Sequence, residues 1–112
     1  MAVTPKPLGQ AQAGLTGSPT TVYTVPAGKT ATLWSLSLCS HDTARRTVRL
    51  CKVPLGGSFG AGTDLLWDAP VDPGIPVEGD AIRVLEAGGT IQISADVAVM
   101  VTLTVDGAEV DN

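Results

Sequence analysis

The first residues to consider for catalysis are His41 and Asp42, which stand side by side within residues 40–47, a stretch that reads as a turn. A histidine next to an aspartate can form a catalytic dyad. Nucleophilic catalysis also needs a serine or a reactive cysteine at a recognisable spacing, and the sequence offers neither. We therefore predict that His41 is a solvated turn residue and that the protein is not an enzyme, with a His-Asp dyad as the alternative.

Cys39 and Cys51 are the thiols closest to His41 in the sequence. A structural zinc ion takes about four nitrogen or sulfur ligands, more than these three residues supply, so we expect no metal site and no cofactor, with a catalytic zinc held by Cys39, His41 and Cys51 as the alternative. The two cysteines would face each other across a hairpin centred on Arg45. Because such a cross-strand disulfide is strained and a cytoplasm keeps thiols reduced, we predict two free, small, buried side chains.

Two loops contain residue types that ligand sites often use. Residues 54–63, PLGGSFGAGT, have four glycines but lack the Gly-Lys-Ser/Thr ending of a phosphate-binding loop. Residues 68–78, DAPVDPGIPVE, carry acids without the spacing of a calcium loop. We interpret the first as a flexible loop and the second as an extended surface connector.

Trp34 and Trp67 are two of the four aromatic residues in the chain. Exposed aromatic rings on a β-sandwich can stack against sugars, which makes a glycan an alternative partner. With so few aromatic residues available, we favour a role for both tryptophans as anchors in the core or in an interface.

The composition fits one small β domain. The chain has 112 residues, of which 44% are hydrophobic and 16% charged, with 13 glycines and 8 prolines, so it can bury one core and needs many turns. The net charge of −4 disfavours nucleic acid, because phosphate groups would be repelled. No apolar run approaches the ~18 residues of a membrane span and no secretion signal is recognisable, so we expect no membrane partner and folding in a cytoplasm.

Charge is distributed unevenly along the chain. Residues 1–52 hold six cations and one acid, whereas residues 53–112 hold one cation and ten acids. If the folded surface keeps this asymmetry, a basic patch on one copy could meet an acidic patch on another. The alternative is that strands from both halves interleave and disperse the charges.

The stretch from Thr21 to Cys39 predicts a short strand, a tight turn at residues 26–29 and a long strand. The apolar alternation of the long strand changes phase near Leu33 and Trp34, which indicates either a β-bulge or a strand that crosses between sheets. Residues 48–51 follow as a second strand that we expect to pair with the first as a hairpin.

Further strands are expected in the second half. Residues 64–68 predict a short edge strand, and residues 81–85 and 90–94 predict a hairpin, with a short helix over 81–87 as the alternative. Residues 97–105 show the cleanest apolar alternation in the chain and predict a central strand.

The two ends of the chain differ from this pattern. Residues 1–19 contain three prolines, three glycines and no sustained period, so we predict an extended N-terminal arm. A neighbouring subunit would hold such an arm, or it would fold back on its own domain. The domain proper would then span residues 20–106, followed by an acidic C-terminal tail at 107–112.

Six to eight strands joined by turns predict an all-β fold, an antiparallel β-sandwich that could be of jelly-roll type. The predicted core consists of apolar residues that share the inward faces of these strands. They are Val22, Leu36, Leu38, Val48, Leu50, Ile82, Val84, Ile91, Ile93, Val99, Val101 and Leu103.

Three motifs carry a resemblance: VYTVPAGKTATLWSLSLCS, then KVPLGG, then VLEAGGTIQISAD before a final valine-rich strand. Over residues 20–105 the chain resembles small virion structural proteins of tailed bacteriophages, although Gly89 stands where those proteins commonly have aspartate. The resemblance implies a β-sandwich with a non-enzymatic role in the particle, as a capsid decoration or cement protein. A tail or head-tail accessory protein is the alternative, and a carbohydrate-binding module of a host-recognition device is another.

On this hypothesis the partners are the major capsid protein or other virion subunits, and we expect a homo-oligomer, with a trimer favoured, in virions assembled in the bacterial cytoplasm. The residues expected to contact neighbouring subunits lie in the arm and in the turn after the long strand. They are Val3, Pro5, Lys6, Leu8, Leu15, Arg45 and Arg46.

Overall fold

The computed structural model describes residues 3–15, 17–60, 62–79, 83–98 and 100–111. Within these ranges the chain is all-β and contains no helix. The strands, in chain order, are β1 Val3–Gln12, β2 Gly14–Leu15, β3 Thr20–Thr24, β4 Lys29–Ser40, β5 Arg46–Val53, β6 Asp64–Val71, β7 Val77–Gly79, β8 Arg83–Leu85, β9 Thr90–Ala95 and β10 Val101–Asp111.

The strands form two five-stranded sheets. In the first, β1, β10, β4 and β7 are neighbours in that order, and β8 also pairs with β4. In the second, β2, β9, β5 and β6 are neighbours, and β3 also pairs with β9. All pairings are antiparallel except the short parallel pair of β2 and β9. The arrangement is that of a β-sandwich.

One apolar core lies between the sheets. The predicted core residues that are buried are Leu38, Val48, Leu50, Ile91, Ile93, Val101 and Leu103. Val22 and Leu36 are partly buried and pack against this core. The prediction for Val84 is wrong: it lies directly opposite Thr32 in β8 and is 49% exposed, because that register position faces outward. Ile82 and Val99 lie outside the described residues.

The predicted strand, turn and long strand are confirmed as β3, the turn at 26–29 and β4. The phase change is a β-bulge, because Ser35 pairs with Asp106 and Leu33 with Gly107, which leaves Trp34 as the extra residue. β4 stays in the first sheet throughout. The turn, however, joins the two sheets, since β3 belongs to the second.

The N-terminal segment folds back on its own domain, the second of the two arrangements considered. Residues 3–12, expected to extend as an arm, form the edge strand β1 and pair with β10 from Val3 to Gln12. An edge position accommodates the prolines of β1, because a proline without an N–H is tolerated where no neighbouring strand needs that donor. The register between β1 and β10 shifts by one residue at Leu8, and the two strands stay paired on both sides of it.

The C-terminal segment also differs from the prediction. Residues 107–111, expected to be an acidic tail, continue β10 as far as Asp111, and Gly107, Ala108 and Glu109 are buried. The central strand expected over 97–105 begins only at Val101, because residues 96–98 form a bend. β10 is nevertheless central, with β1 on one side and β4 on the other.

Both predicted hairpins are wrong. β4 and β5 lie in different sheets, so Cys39 and Cys51 are not opposite each other. Both are free thiols, and Cys51 is buried as predicted. The predicted burial of Cys39 is wrong: it is exposed, because it alternates with the inward-facing Leu38 on β4. β8 pairs with β4 and β9 with β5, so residues 83–85 and 90–94 also belong to different sheets. The helix considered for 81–87 is absent at the described residues 83–85, which are strand.

The turns at 26–29 and 86–89 each carry the chain from one sheet to the other, and they lie side by side. The Val25 N–H donates to the Gly89 carbonyl at 2.9 Å, and the Gly88 N–H donates to the Val25 carbonyl at 3.0 Å. The turn at 26–29 closes with the Lys29 N–H donating to the Pro26 carbonyl, and Gly28 has the positive φ expected there. These bonds hold the two crossings together.

A buried carboxylate ties the N-terminal strand to both sheets. Glu109 of β10 is 8% exposed; its Oε2 accepts a 2.5 Å hydrogen bond from the Tyr23 hydroxyl of β3, and its Oε1 lies 2.5 Å from the Lys6 Nζ of β1. Lys6 and then Tyr23 lower the pKa of Glu109. Burial, followed by the bond to the carboxylate, raises the pKa of Tyr23. The folded state therefore favours an ionised Glu109 and a neutral Tyr23.

We predict that Tyr23→Phe lowers the free energy of unfolding by about 1–3 kcal/mol, because it leaves a buried carboxylate one hydrogen bond short. Lys29→Ala is the control: Lys29 bonds to the exposed Asp111 at 2.8 Å, and since surface ion pairs contribute little, its loss should cost clearly less than that of the Tyr23 hydroxyl. Urea unfolding followed by fluorescence measures both. Equal losses in the two variants would contradict the role given to the buried carboxylate.

A second prediction concerns pH. Since the folded pKa of Glu109 is lowered from its ordinary 4.5, its contribution to stability is present above that value and is lost as the pH falls through the folded pKa. Glu109→Gln should therefore be destabilising near pH 7, and the difference from wild type should shrink at about pH 3. The same difference at both pH values would contradict this account.

Candidate functional site

An apolar cavity lies at one side of the sandwich, where the edges of the two sheets meet. Its volume is about 110 Å³. Its lining is mostly aliphatic, with one acid and one cation, and comes from β4 to β8. The lining residues are Leu36, Leu38, Leu50, Leu65, Leu66, Val77, Glu78, Gly79 and Arg83.

Cross-strand pairs explain why these side chains meet. Directly opposite residues of paired strands project from the same face. Val77 is opposite the buried Leu38 in the first sheet, and Leu66 is opposite the buried Leu50 in the second, so both face the space between the sheets. The two pairs form facing walls of the cavity.

Gly79 accounts for the empty space. It lies directly opposite Leu36, which lines the cavity, so a side chain at this position would point into it. A Cβ added at Gly79 would meet no atom within 4 Å. The cavity therefore exists because one inward position of the edge strand β7 has no side chain.

The cavity suits an aliphatic group and offers no reaction chemistry. Its polar residues are Glu78, which is exposed, and Arg83, which is half-buried. No histidine, serine or cysteine lines it. Sequence reasoning placed Leu36, Leu38 and Leu50 in the core but did not identify this site; the adjacent Leu65 and Leu66 on an edge strand were the available signal.

Trp67 forms a second surface feature with its neighbours. Its ring is 40% exposed, and the Arg49 guanidinium lies over it, 4.1 Å from the ring centroid. Phe59 lies beside it, with 6.2 Å between ring centroids. Asp68, which has a positive φ of 55°, holds Arg49 through a bond of 2.7 Å from Nε. One face of the indole is therefore occupied by a cation.

Trp34 lies elsewhere, at the β4 bulge in the first sheet, and is 38% exposed. Trp67 belongs to β6 in the second sheet. The two tryptophans therefore do not form one aromatic platform. Neither is a fully buried core residue, so their use as interface anchors stays a prediction.

The predicted contact residues of the N-terminal segment are in different surroundings. Val3 and Pro5 belong to β1, and the structure describes their backbone but not their side chains. Lys6 bonds to Glu109, and Leu8 packs against the core. Leu15, at the end of β2, is 51% exposed. Among the predicted contact residues of the N-terminal segment, Leu15 therefore has the most exposed of the described side chains.

Arg45 and Arg46 bind acids within the chain. Arg45 Nε bonds to Asp72 at 2.6 Å, and 65% of the Arg45 side chain remains exposed. Arg46 Nε bonds to Asp42 at 2.5 Å and is more buried. Hydrogen bonding from the Thr43 N–H, followed by that from Arg46, lowers the pKa of Asp42. Arg45 keeps more of its surface free than Arg46 does.

The folded surface intersperses the charges, as the second of the two interpretations held. Five cations of the first half form ion pairs with acids of the second half among the described residues. These pairs are Lys6 with Glu109, Lys29 with Asp111, Arg45 with Asp72, Arg46 with Asp96 and Arg49 with Asp68. The uneven distribution of charge along the sequence is therefore offset by ion pairs within one domain.

His41 is exposed, and the carboxylate next to it is engaged by Thr43 and Arg46. Across the described ranges, no three His, Cys, Asp or Glu side chains are grouped to hold a metal ion. Nor does this part of the chain contain a helix long and apolar enough to cross a membrane.

Comparison with protein families and with curated proteins finds no match: no family model fits the chain, and no curated protein is similar to it.

We predict that Gly79→Leu folds and keeps or raises the free energy of unfolding, by up to about 1 kcal/mol, because the new side chain fills existing space. Gly107→Ala is the matched control. A Cβ at Gly107 would overlap the Thr32 backbone oxygen, so this change should cost about 1–3 kcal/mol. Urea unfolding compares the two variants, and a loss in Gly79→Leu as large as that in Gly107→Ala would contradict the cavity assignment.

Proposed function

We propose that the protein is a non-enzymatic structural protein of a tailed-bacteriophage particle, and that it decorates the capsid by binding shell subunits. The observation that carries the proposal is the open cavity lined with aliphatic side chains, next to an edge strand, with no reactive group in its lining. Such a feature fits the binding of a protein segment better than it fits catalysis.

Exposed apolar side chains support a binding role. Leu55 is 78% exposed, Ile75 61% and Leu15 51%. Apolar side chains left at the surface are common at interfaces, where a partner removes them from water. The motifs that resemble phage virion proteins supply the choice of partner, the major capsid protein.

The proposal includes assembly of several copies, with a trimer favoured, and a jelly-roll connection of the strands. It places the protein on virions formed in the bacterial cytoplasm. Among the residues predicted to contact the shell, Leu15 and Arg45 are the best candidates, because both keep more than half of their surface exposed. Val3, Pro5, Lys6, Leu8 and Arg46 would contribute around them.

Density-gradient purification of particles made from the genome that encodes this chain tests the proposal. Mass spectrometry should find the chain in a fixed ratio to the major capsid protein, and immunogold labelling should place it over the head. Label on the tail would support the tail or head-tail accessory alternative instead. Absence from washed particles would contradict a virion role altogether.

The same particles test the contact residues. We predict that Leu15→Asp and Arg45→Glu each weaken co-sedimentation with the head by roughly fivefold or more, the effect expected of an interface contact worth about 1 kcal/mol. Asp106→Asn is the control, because Asp106 is exposed on β10 and outside the predicted contact set. Unchanged binding of both variants would remove these residues from the interface.

The Trp67 group favours a second candidate function, binding of a glycan. An exposed indole flanked by Arg49 and Asp68 offers both a stacking surface and hydrogen-bonding groups. The alternative requires the sugar to use the ring face that Arg49 leaves open, or to displace Arg49.

Titration of the protein with host-surface glycans, followed by tryptophan fluorescence, separates the two functions. A decoration protein should show no saturable change. If a saturable change occurs and disappears in Trp67→Phe but not in Trp34→Phe, the glycan-binding function replaces the proposed one.

A further inference from the structure

The two sides of the sandwich are closed to different extents. On one side, β1 pairs with β10 of the first sheet, and Gly9 of β1 lies so close to the Val22 carbonyl of β3 that an added Cβ would overlap it. β1 thus bridges the edges of both sheets. On the other side, β6 and β7 are the edges, and between them lies the cavity; we call this side the open seam.

Only part of the β6 edge can accept another strand. Within the described chain β6 pairs with β5 alone. Its second half is blocked, because Asp68 has a positive φ and Pro70 has no N–H to donate. The first half, Asp64 to Trp67, carries the cavity residues Leu65 and Leu66. The accessible part of the edge therefore borders the cavity.

The charge that faces the open seam limits what can bind there. Arg83 is opposite the buried Leu33, so it lies on the inward face, and it lines the cavity. Glu78 is opposite Ser37, between the inward positions Val77 and Gly79, so it lies on the outer face of the sheet. An extended segment with an acid beside an aliphatic residue on the same face would match the cation and the cavity.

We propose that the open seam binds an extended protein segment, which pairs with β6 between Asp64 and Trp67 and places one aliphatic side chain in the cavity. An acid of the segment lies near Arg83. The segment closes this side of the sandwich, as β1 closes the other side. That it belongs to the phage shell protein rests on the proposed function; the site itself does not.

The test uses the full chain labelled with ¹⁵N and a blocked nine-residue peptide of threonine and valine with a central leucine and a glutamate two residues after it. We expect saturable chemical-shift changes at the amides of Leu66 and Gly79. A peptide with serine in place of leucine should bind at least about tenfold more weakly, since burial of the leucine supplies much of the affinity.

Two variants test the location. Gly79→Leu fills the cavity and should weaken peptide binding at least about tenfold, whereas Gly79→Ala, which adds only a Cβ, should stay within about twofold of wild type. No saturation with the leucine peptide, equal binding of the serine peptide, or unchanged binding by Gly79→Leu would each overturn the inference. A chain present on particles that fails this test keeps its proposed function, while a chain that passes but is absent from particles keeps the site and loses the proposed partner.

Discussion

The carboxylate of Glu109 is the interaction on which the rest of the structure depends. It is buried in β10, where it accepts a hydrogen bond from the Tyr23 hydroxyl of β3 in the second sheet. It also forms an ion pair with Lys6 of β1 in the first sheet. A buried charge is stable only when it is paired and hydrogen-bonded, so these three strands must come together for any of them to be well placed. The contact fixes β1 as the strand that closes one side of the sandwich.

The same arrangement leaves the opposite side incomplete. β7 has three residues, and Gly79 provides no side chain on the inward face. The register of β6 against β5 shifts twice, between Ala69 and Leu66 and between Leu66 and Asp64. The cavity therefore lies beside β6, whereas Gly9 of β1 lies in close contact with the Val22 backbone. A partner that supplied a strand and an aliphatic side chain would complete the second side as β1 completes the first.

Local signals in the sequence predicted local features well. The turn at Pro26 to Lys29 and the bulge at Trp34 followed from backbone preferences and apolar alternation, which depend on neighbouring residues only. The choice of partner strand did not follow, because a turn reverses the chain without specifying which sheet receives the next strand. The turns at 40–47 and 86–89 were expected to close hairpins, but both carry the chain from one sheet to the other. The hydrogen bonds of Val25 hold the crossing at 86–89 beside the turn at 26–29.

The ends of the chain and the cavity show the same limit. Prolines in β1 and acids near the end of β10 are typical of exposed segments, yet Lys6 and Glu109 bond to each other across 103 positions of sequence. The cavity depends on pairs such as Leu50 with Leu66 and Leu38 with Val77, whose juxtaposition is set by register between strands. Alternation placed Leu38 and Leu50 in the core, but only the fold places Gly79 opposite Leu36.

A cryo-electron microscopy map of the protein bound to its particle, at a resolution that separates strands, tests the central claim most directly. The account predicts that the open seam faces the shell and that an extended segment of a shell subunit lies along β6, with an aliphatic side chain between Leu66 and Gly79. A map in which the seam faces solvent, or in which the shell contacts the protein only through other surfaces, would contradict it.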